Sequence, residues 1–273
     1  MRRPLRMQIR IPMHMLIAAI TGAASVAAAQ VSSPAAGAAA DLRMPGAHYM
    51  SASTQAMQRD DTLNPAMLWV KDGEALWRRA PDTSAQSCAG CHGDATRSMR
   101  GVAARYPAFD NTLQRPVDLA ARINLCRQKN QKAAPWLAQS AELLALESYL
   151  ALQSRGMPIT PPTDVRLIAF RERGQARFFQ RMGQLDLSCA QCHDARAGLR
   201  LGSSVIPQAH PDGYPLYRLE WQGVGSLERR LRNCMSGVRA EPFASGSVEL
   251  VELELYLAHR ARGMPMDAPG VRP

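Results

Sequence analysis

Cys88-Ala-Gly-Cys91-His92 recurs 101 residues later as Cys189-Ala-Gln-Cys192-His193, and matches spread outward from both copies in the same order. Upstream, Gly73 with Trp77 recurs as Gly174 with Phe178, again at an offset of 101. Downstream, Arg122-Ile-Asn-Leu-Cys126 recurs as Arg230-Leu-Arg-Asn-Cys234 at 108, and Arg155-Gly-Met-Pro158 as Arg262-Gly-Met-Pro265 at 107. The offset changes only between motifs, where loops absorb insertions. Such an ordered series is the mark of an internal duplication, two homologous units of about 100 residues each.

Helices frame each unit. Leu143, Leu146 and Leu150 stand at i, i+3 and i+7, as do Leu250, Leu253 and Leu257, which places each trio on one helical face. Ser140 and Ser247 occupy N-cap positions, and Gly156 and Gly263 the positions that close a helix, with Pro158 and Pro265 preventing continuation. Further helices are expected over roughly 65–79 and 165–182, ahead of each CxxCH. The joining segment Thr160-Pro-Pro-Thr163 is short and stiff. No alternating pattern extends beyond a few residues, so the expected fold is mostly α.

Of the 273 residues, 46% are hydrophobic, 21% charged and 5% aromatic, which argues for packed cores rather than disorder. The formal charge is +10, but Arg2, Arg3, Arg6 and Arg10 supply four of those charges, and no acid precedes Asp41. Without that segment the charge is +6; the only lysines are Lys71, Lys129 and Lys132, and no basic run appears, so nucleic acid is not an expected partner. The basic start, the small apolar stretch Ile11–Ala28 and Ala27-Ala28-Ala29 read as a cleaved export signal over 1–29. Pro12, His14, Thr21, Gly22 and Ser25 interrupt that stretch and disfavour a membrane anchor. The mature chain is therefore expected to lack a membrane span and to be periplasmic, an oxidising compartment where free thiols need a reason to persist.

CxxCH supplies that reason. Two thiols spaced this way add across the vinyl groups of a haem, and the adjacent histidine then binds its iron. Zinc would call for a second CxxC or spaced histidines nearby, and a thioredoxin-like pair for a βαβ context. Two covalent haem c groups are expected, on Cys88 and Cys91 with proximal His92, and on Cys189 and Cys192 with proximal His193. For the opposite side of each iron, Met157 and Met264 are the conventional candidates. The two remaining cysteines also repeat in register: Cys126 and Cys234 lie 34 and 41 residues after their histidines. A Cys126–Cys234 disulfide and a pair of inert buried thiols are the other readings, while the symmetric placement favours each cysteine serving its own haem. Arg122 and Arg230 precede those cysteines by four residues, one helical turn. Arg229, Arg230, Arg232 and Arg239 surround Cys234 with no acid from 229 to 240, a setting that draws a small anion and depresses a thiol pKa. The first unit has its own basic set in Arg122, Arg127, Lys129 and Lys132, but Cys234 is followed by Met235-Ser236-Gly237, which leaves more room at the sulfur.

Both CxxCH motifs, both later cysteines and the RxxxC before each resemble the SoxA family, the larger subunits of the SoxAX cytochromes of thiosulfate-oxidising bacteria. The resemblance covers residues 65–265. It implies two tandem cytochrome c-like domains, at 61–160 and 161–273, behind an extension at 30–60 that matches nothing. It further implies His/Cys ligation of both irons, through His92 with Cys126 and His193 with Cys234. Cys234 would be a catalytic persulfide and Arg230 the substrate-binding residue. The implied activity is that of an L-cysteine S-thiosulfotransferase, joining thiosulfate oxidatively to a cysteine of the carrier protein SoxYZ and passing electrons to a monohaem SoxX partner. A dihaem electron carrier without bond chemistry and a dihaem peroxidase are the alternatives; both leave Cys126 and Cys234 unexplained.

Overall fold

The computed structural model describes residues 41–273; the export signal read over 1–29 and the opening of the extension lie outside the described residues. The chain runs from α1 (Ala52–Arg59) through α2 (Ala66–Arg78), α3 (Cys88–His92), α4 (Ala95–Ser98), β1 (Ala108–Asp110), β2 (Arg115–Val117) and α5 (Leu119–Asn130) to α6 (Ala141–Leu152). The second half repeats this order with α7 (Ile168–Phe179), α8 (Cys189–His193), β5 (Leu216–Arg218), β6 (Gly223–Gly225), α9 (Leu227–Gly237) and α10 (Val248–Arg260). A short hairpin, β3 (Arg200–Leu201) and β4 (Ser204–Val205), is inserted after α8, and β7 (Gly270–Arg272) ends the chain.

Side-chain caps start the short elements that matter most. Each CxxCH is a single helical turn, and a turn that short needs help to nucleate. Ser87 accepts from the Gly90 N–H at 2.9 Å, and Ser188 forms a reciprocal capping box with Gln191. Asp118 and Ser226 cap α5 and α9 in the same way, at 2.6 and 3.2 Å. Ser140 caps α6 as the sequence suggests, whereas Ser247 holds the N-cap backbone geometry of α10 without a side-chain bond. Gly156 and Gly263 both adopt positive φ, 77° and 83°, and turn the chain off its helix.

Within each half the long helices cross tightly, α2 on α6 and α7 on α10. A Cβ on Gly73 would overlap the Ala145 carbonyl, and one on Gly174 the Glu252 carbonyl. The leucine trios lie where their spacing puts them. Leu143, Leu146 and Leu150 pack with Trp77, Tyr149 and Ile123, and Leu250, Leu253 and Leu257 with Phe178 and Met235. Truncating such a leucine to alanine typically costs about 2–5 kcal/mol.

The halves meet through their tails. Pro158 and Pro265 pair antiparallel; Gly156 donates to the Met266 carbonyl at 2.7 Å and Met266 returns a bond to that of Met157 at 2.8 Å. Ala104, Ala151, Ile159, Ala261, Met264 and Met266 form the apolar layer beneath. The stretch before α2 is fastened to the second half: Gly46 donates to Asp212, Arg43 to the carbonyls of Arg260 and Arg262, and Gln58 accepts from Val271 N–H. β7 adds in parallel to β5, giving a three-stranded sheet in the order β6-β5-β7. Among the described residues no helix is long and apolar enough to cross a membrane.

A cavity of about 120 Å³ between the halves is lined by Asp118, Glu147, Glu228 and Glu254. Glu147 and Glu254 hold the same place on α6 and α10. Glu147 Oε2 is sealed from solvent without a hydrogen bond. Burial, then the charges of Asp118 and Glu228, pushes its carboxyl up to about 8; burial and the same neighbours hold Glu254 well above the ordinary range. An acid protonated in the folded state and ionised when unfolded supports folding fully below pH 4.5, and this support is lost as pH rises toward 8. Glu147→Gln, a neutral isostere, should therefore melt close to wild type near pH 4.5 and above it by pH 8. The full shift corresponds to about 5 kcal/mol; a gain of at least about 1 kcal/mol, or about 2–4 °C, is expected. Parallel melting curves across that range would place the charge elsewhere.

Candidate haem and sulfur sites

In the first half, α3 and α5 face each other across a cavity of about 980 Å³ lined by Cys88, His92, Cys126, Trp77, Leu119 and Leu150. Trp77 lies 5.8 Å from the His92 ring, and its indole N–H donates to the Gly93 carbonyl at 3.0 Å, which anchors the end of the CxxCH turn. Asn130 donates to Cys126 Sγ at 3.4 Å from one turn further along α5. Arg122, one turn before the cysteine, is bound by Asp110 of β1 at 2.8 Å.

In the second half, His193 and Cys234 line a cavity of about 430 Å³. His193 Nδ1 is held 2.7 Å from the Pro207 carbonyl, which fixes the ring and leaves Nε2 for the cavity. The His193 and Cys234 side chains come within hydrogen-bonding reach of each other. Burial raises the Cys234 thiol, but the His193 bond and the charges of Arg230 and Arg218 outweigh it, so its pKa falls below the ordinary thiol value. Tyr214 also lines the cavity; burial pushes its phenol up to about 12, keeping it a neutral hydrogen-bond donor.

Cys126 and Cys234 thus face separate cavities, and all six cysteines are free thiols in the structure, so the disulfide reading fails. Neither Met157 nor Met264 lines either cavity. Met264 is 5% exposed inside the layer between the halves, and both methionines lie on the paired tails. Both donor sets fit a c-type haem: Cys88, His92 and Cys126 line the first cavity, and His193 and Cys234 the second, with Cys189 and Cys192 on the same helical turn as His193.

The arginine cluster around Cys234 is largely dispersed. On α9 successive residues turn by about 100°, so neighbours in sequence leave on different sides. Arg230 lines the cavity, while Arg229 stacks on Trp221 at 4.1 Å and Arg232 donates to the Phe243 carbonyl at 3.1 Å. Arg239 is not among the lining residues. The second cation at the sulfur is Arg218 of β5, which sequence reading missed although it lies 108 residues after Asp110, the offset that relates Arg122 to Arg230. Also unforeseen are Gly46, Tyr49, Met50 and Ser51 from the chain start and Arg272 from β7.

The SoxA/TsdA cytochrome c domain model matches residues 72–159 and again 173–266. The chain belongs to the SoxA family. It is 34% identical to the L-cysteine S-thiosulfotransferase subunit SoxA of Pseudaminobacter salicylatoxidans, covering 85% of this chain and 82% of that one. The Rhodovulum sulfidophilum SoxA is likewise 34% identical, over 82% and 78% of the two chains. A crystal structure of SoxXA from P. pantotrophus superposes with a TM-score of 0.81 at 32% identity, covering 85% of this chain and 87% of that one. A cytochrome c domain binds haem c, in agreement with the CxxCH turns.

Because neither tail methionine lines a cavity, Met157→Leu and Met264→Leu should leave the visible spectrum of the haem protein unchanged. Loss of a thioether-type signature in either variant would return that methionine to an iron.

Proposed function

We propose that this chain is the dihaem, catalytic subunit of an L-cysteine S-thiosulfotransferase, carrying haem c on both CxxCH motifs. The observation that carries the reading is the second cavity, where Cys234 faces the proximal-type His193 with Arg230 one turn away. His92 with Cys126 would hold the iron of the first haem, and His193 with Cys234 that of the second. Haem c bound between such ligands supplies one-electron redox chemistry, and a thiolate ligand lowers its potential.

The reactive group is the terminal sulfur at Cys234, the outer atom where the side chain is a persulfide. As a thiolate it bonds to the sulfane sulfur of thiosulfate, giving a Cys234-bound thiosulfonate and two electrons, which leave toward a SoxX-type monohaem partner. The carrier cysteine of SoxYZ then attacks that sulfane sulfur, its proton is released, and the bond to Cys234 breaks, regenerating the thiolate. Splitting the conjugation in this way replaces one hard step by two easier ones. Arg230 holds the sulfonate oxygens through charge-assisted bonds and keeps the sulfane end toward Cys234. The first cavity offers no equivalent, since Asp110 already neutralises Arg122. The names of the relatives and the SoxXA match support the partner assignment, and the export signal read over 1–29 supports a periplasmic setting.

Cys234→Ala should abolish thiosulfate-dependent modification of the carrier cysteine, read by intact mass, while Cys189 and Cys192 still retain haem. Full modification by that variant would exclude a covalent role. Arg230→Ala should lower kcat/KM about 10²-fold, the loss typical for one well-placed charge-stabilising donor. Arg122→Ala should stay within a few-fold of wild type, and equal losses from the two arginines would withdraw the substrate role of Arg230.

A further inference from the structure

The two halves carry opposite charges at one repeat position beside the later cysteine. On β1 it is Asp110, which also accepts from the N–H groups of Thr112 and Leu113, at 2.9 and 2.8 Å, and holds Arg122 at 2.8 Å. On β5 the same position is Arg218. The duplication therefore brings an acid and a base together beside Cys126, but two bases beside Cys234, and both Arg218 and Arg230 line that cavity.

Arg218 is the less compensated of the two. Arg218 is 9% exposed, and its Nε lies 2.8 Å from Glu220, a carboxylate that is itself half exposed. Arg230 forms no ion pair among the described residues. Burial lowers the Arg218 pKa, and the charge of Arg230 lowers it further. The Cys234 sulfur and Glu220 hold the Arg230 charge in place, whereas Arg218 has both burial and the Arg230 charge against it, so the pair favours an anion from outside. A planar guanidinium on each of two elements, with the Tyr214 phenol of the same cavity as a neutral donor, suits the oxygens of a tetrahedral oxyanion.

We propose that Arg218 is a second anion-binding residue of the Cys234 cavity, gripping the sulfonate end of a sulfur oxyanion together with Arg230, and that exchange of Asp for Arg at this repeat position gives the second half alone a substrate site. The proposal rests on the reading of Cys234 as the sulfur-handling residue. With both arginines on the oxygens, the sulfane end is left to face the thiolate. A dianion is then preferred over a monoanion, because each guanidinium meets its own negative charge.

The test uses the haem-loaded protein in complex with its partner, titrated calorimetrically with thiosulfate and with inorganic sulfate. Arg218→Gln should weaken both by about 10²-fold and raise the KM for thiosulfate in parallel. Arg218→Asp, which recreates the neutral pair of the first half, should weaken them at least as much. Arg122→Gln should change neither. Visible spectra and reduction potentials of both haems should stay as in wild type. If Arg218→Gln fails to fold, Arg218→Lys keeps the charge and the stem, and a several-fold loss is expected because an ammonium cannot make the two-point contact. Unchanged affinity in a folded Arg218 variant would overturn the proposal. So would a shifted potential of the second haem with unchanged affinity, which would make Arg218 a partner of the haem carboxylates. Binding that depends on Arg218 without transfer to any carrier cysteine would defeat the function proposed above and leave this inference standing. Transfer with an unaltered KM in Arg218→Gln would do the reverse.

Discussion

How closely two helices can cross determines whether either cavity exists. Gly73 lets α2 rest on the backbone of α6 at Ala145, and Gly174 lets α7 rest on α10 at Glu252; a methyl group at either glycine would overlap a carbonyl. Glycine inside a helix costs about 1 kcal/mol relative to alanine, so its recurrence at both crossings means that the close approach outweighs the propensity. The crossing sets the distance from the leucine faces of α6 and α10 to the CxxCH turns that follow α2 and α7. In the second half it is also clamped electrically: Arg173 and Arg177 both bind the buried Glu252 carboxylate, at the place where the first half has Ala145.

Upon this shared frame the halves have diverged in charge and in covering. Cys126 receives an N–H from Asn130 and sits near an arginine already neutralised by Asp110. Cys234 has His193 opposite and two arginines, of which Arg218 is the less compensated. The segments without a repeat partner gather on the second half. The stretch around Gly46–Ser51, the β3–β4 hairpin and β7 all contribute to the walls of the cavity at Cys234, which is less than half the volume of the first. Additions that narrow one site of a duplicated pair are what selectivity for a small ligand requires, since a small anion is held only where its donors converge.

Much of this was legible in the sequence, for physical reasons that also mark where legibility stopped. The CxxCH turns, the leucine trios and the closing glycines follow from helical spacing and local backbone needs, and the structure places them accordingly. Arg230 and Cys234 share a face because four residues make about one turn. Counting charges in a linear window failed for the same reason, since Arg229 and Arg232 leave α9 in other directions. Arg218 was hidden by its difference in charge from Asp110, and by seven extra residues between His193 and Tyr214 that shift the offset from 101 to 108. The fastening of residues 42–58 to the second half rests on backbone bonds to Asp212 and β7, contacts far apart in sequence that no local pattern announces.

The place of the methionines follows from the same geometry. A cytochrome c domain that used a methionine after its last helix would need the chain to continue toward the iron. Here Gly156 and Gly263, both left-handed, reverse it away from the cavity, and each tail pairs with the other along Pro158 and Pro265. Met264 is thereby committed to the layer joining the halves and Met157 to the turn at Gly101, and the sulfurs that share the cavities with His92 and His193 are those of Cys126 and Cys234. A thiolate bound to a haem iron lowers its potential, whereas a methionine thioether raises it. In the second half the same sulfur is the group a thiosulfate sulfane atom would meet. The backbone that fuses the halves is thus the backbone that carries both tail methionines, and it holds them outside the two cavities.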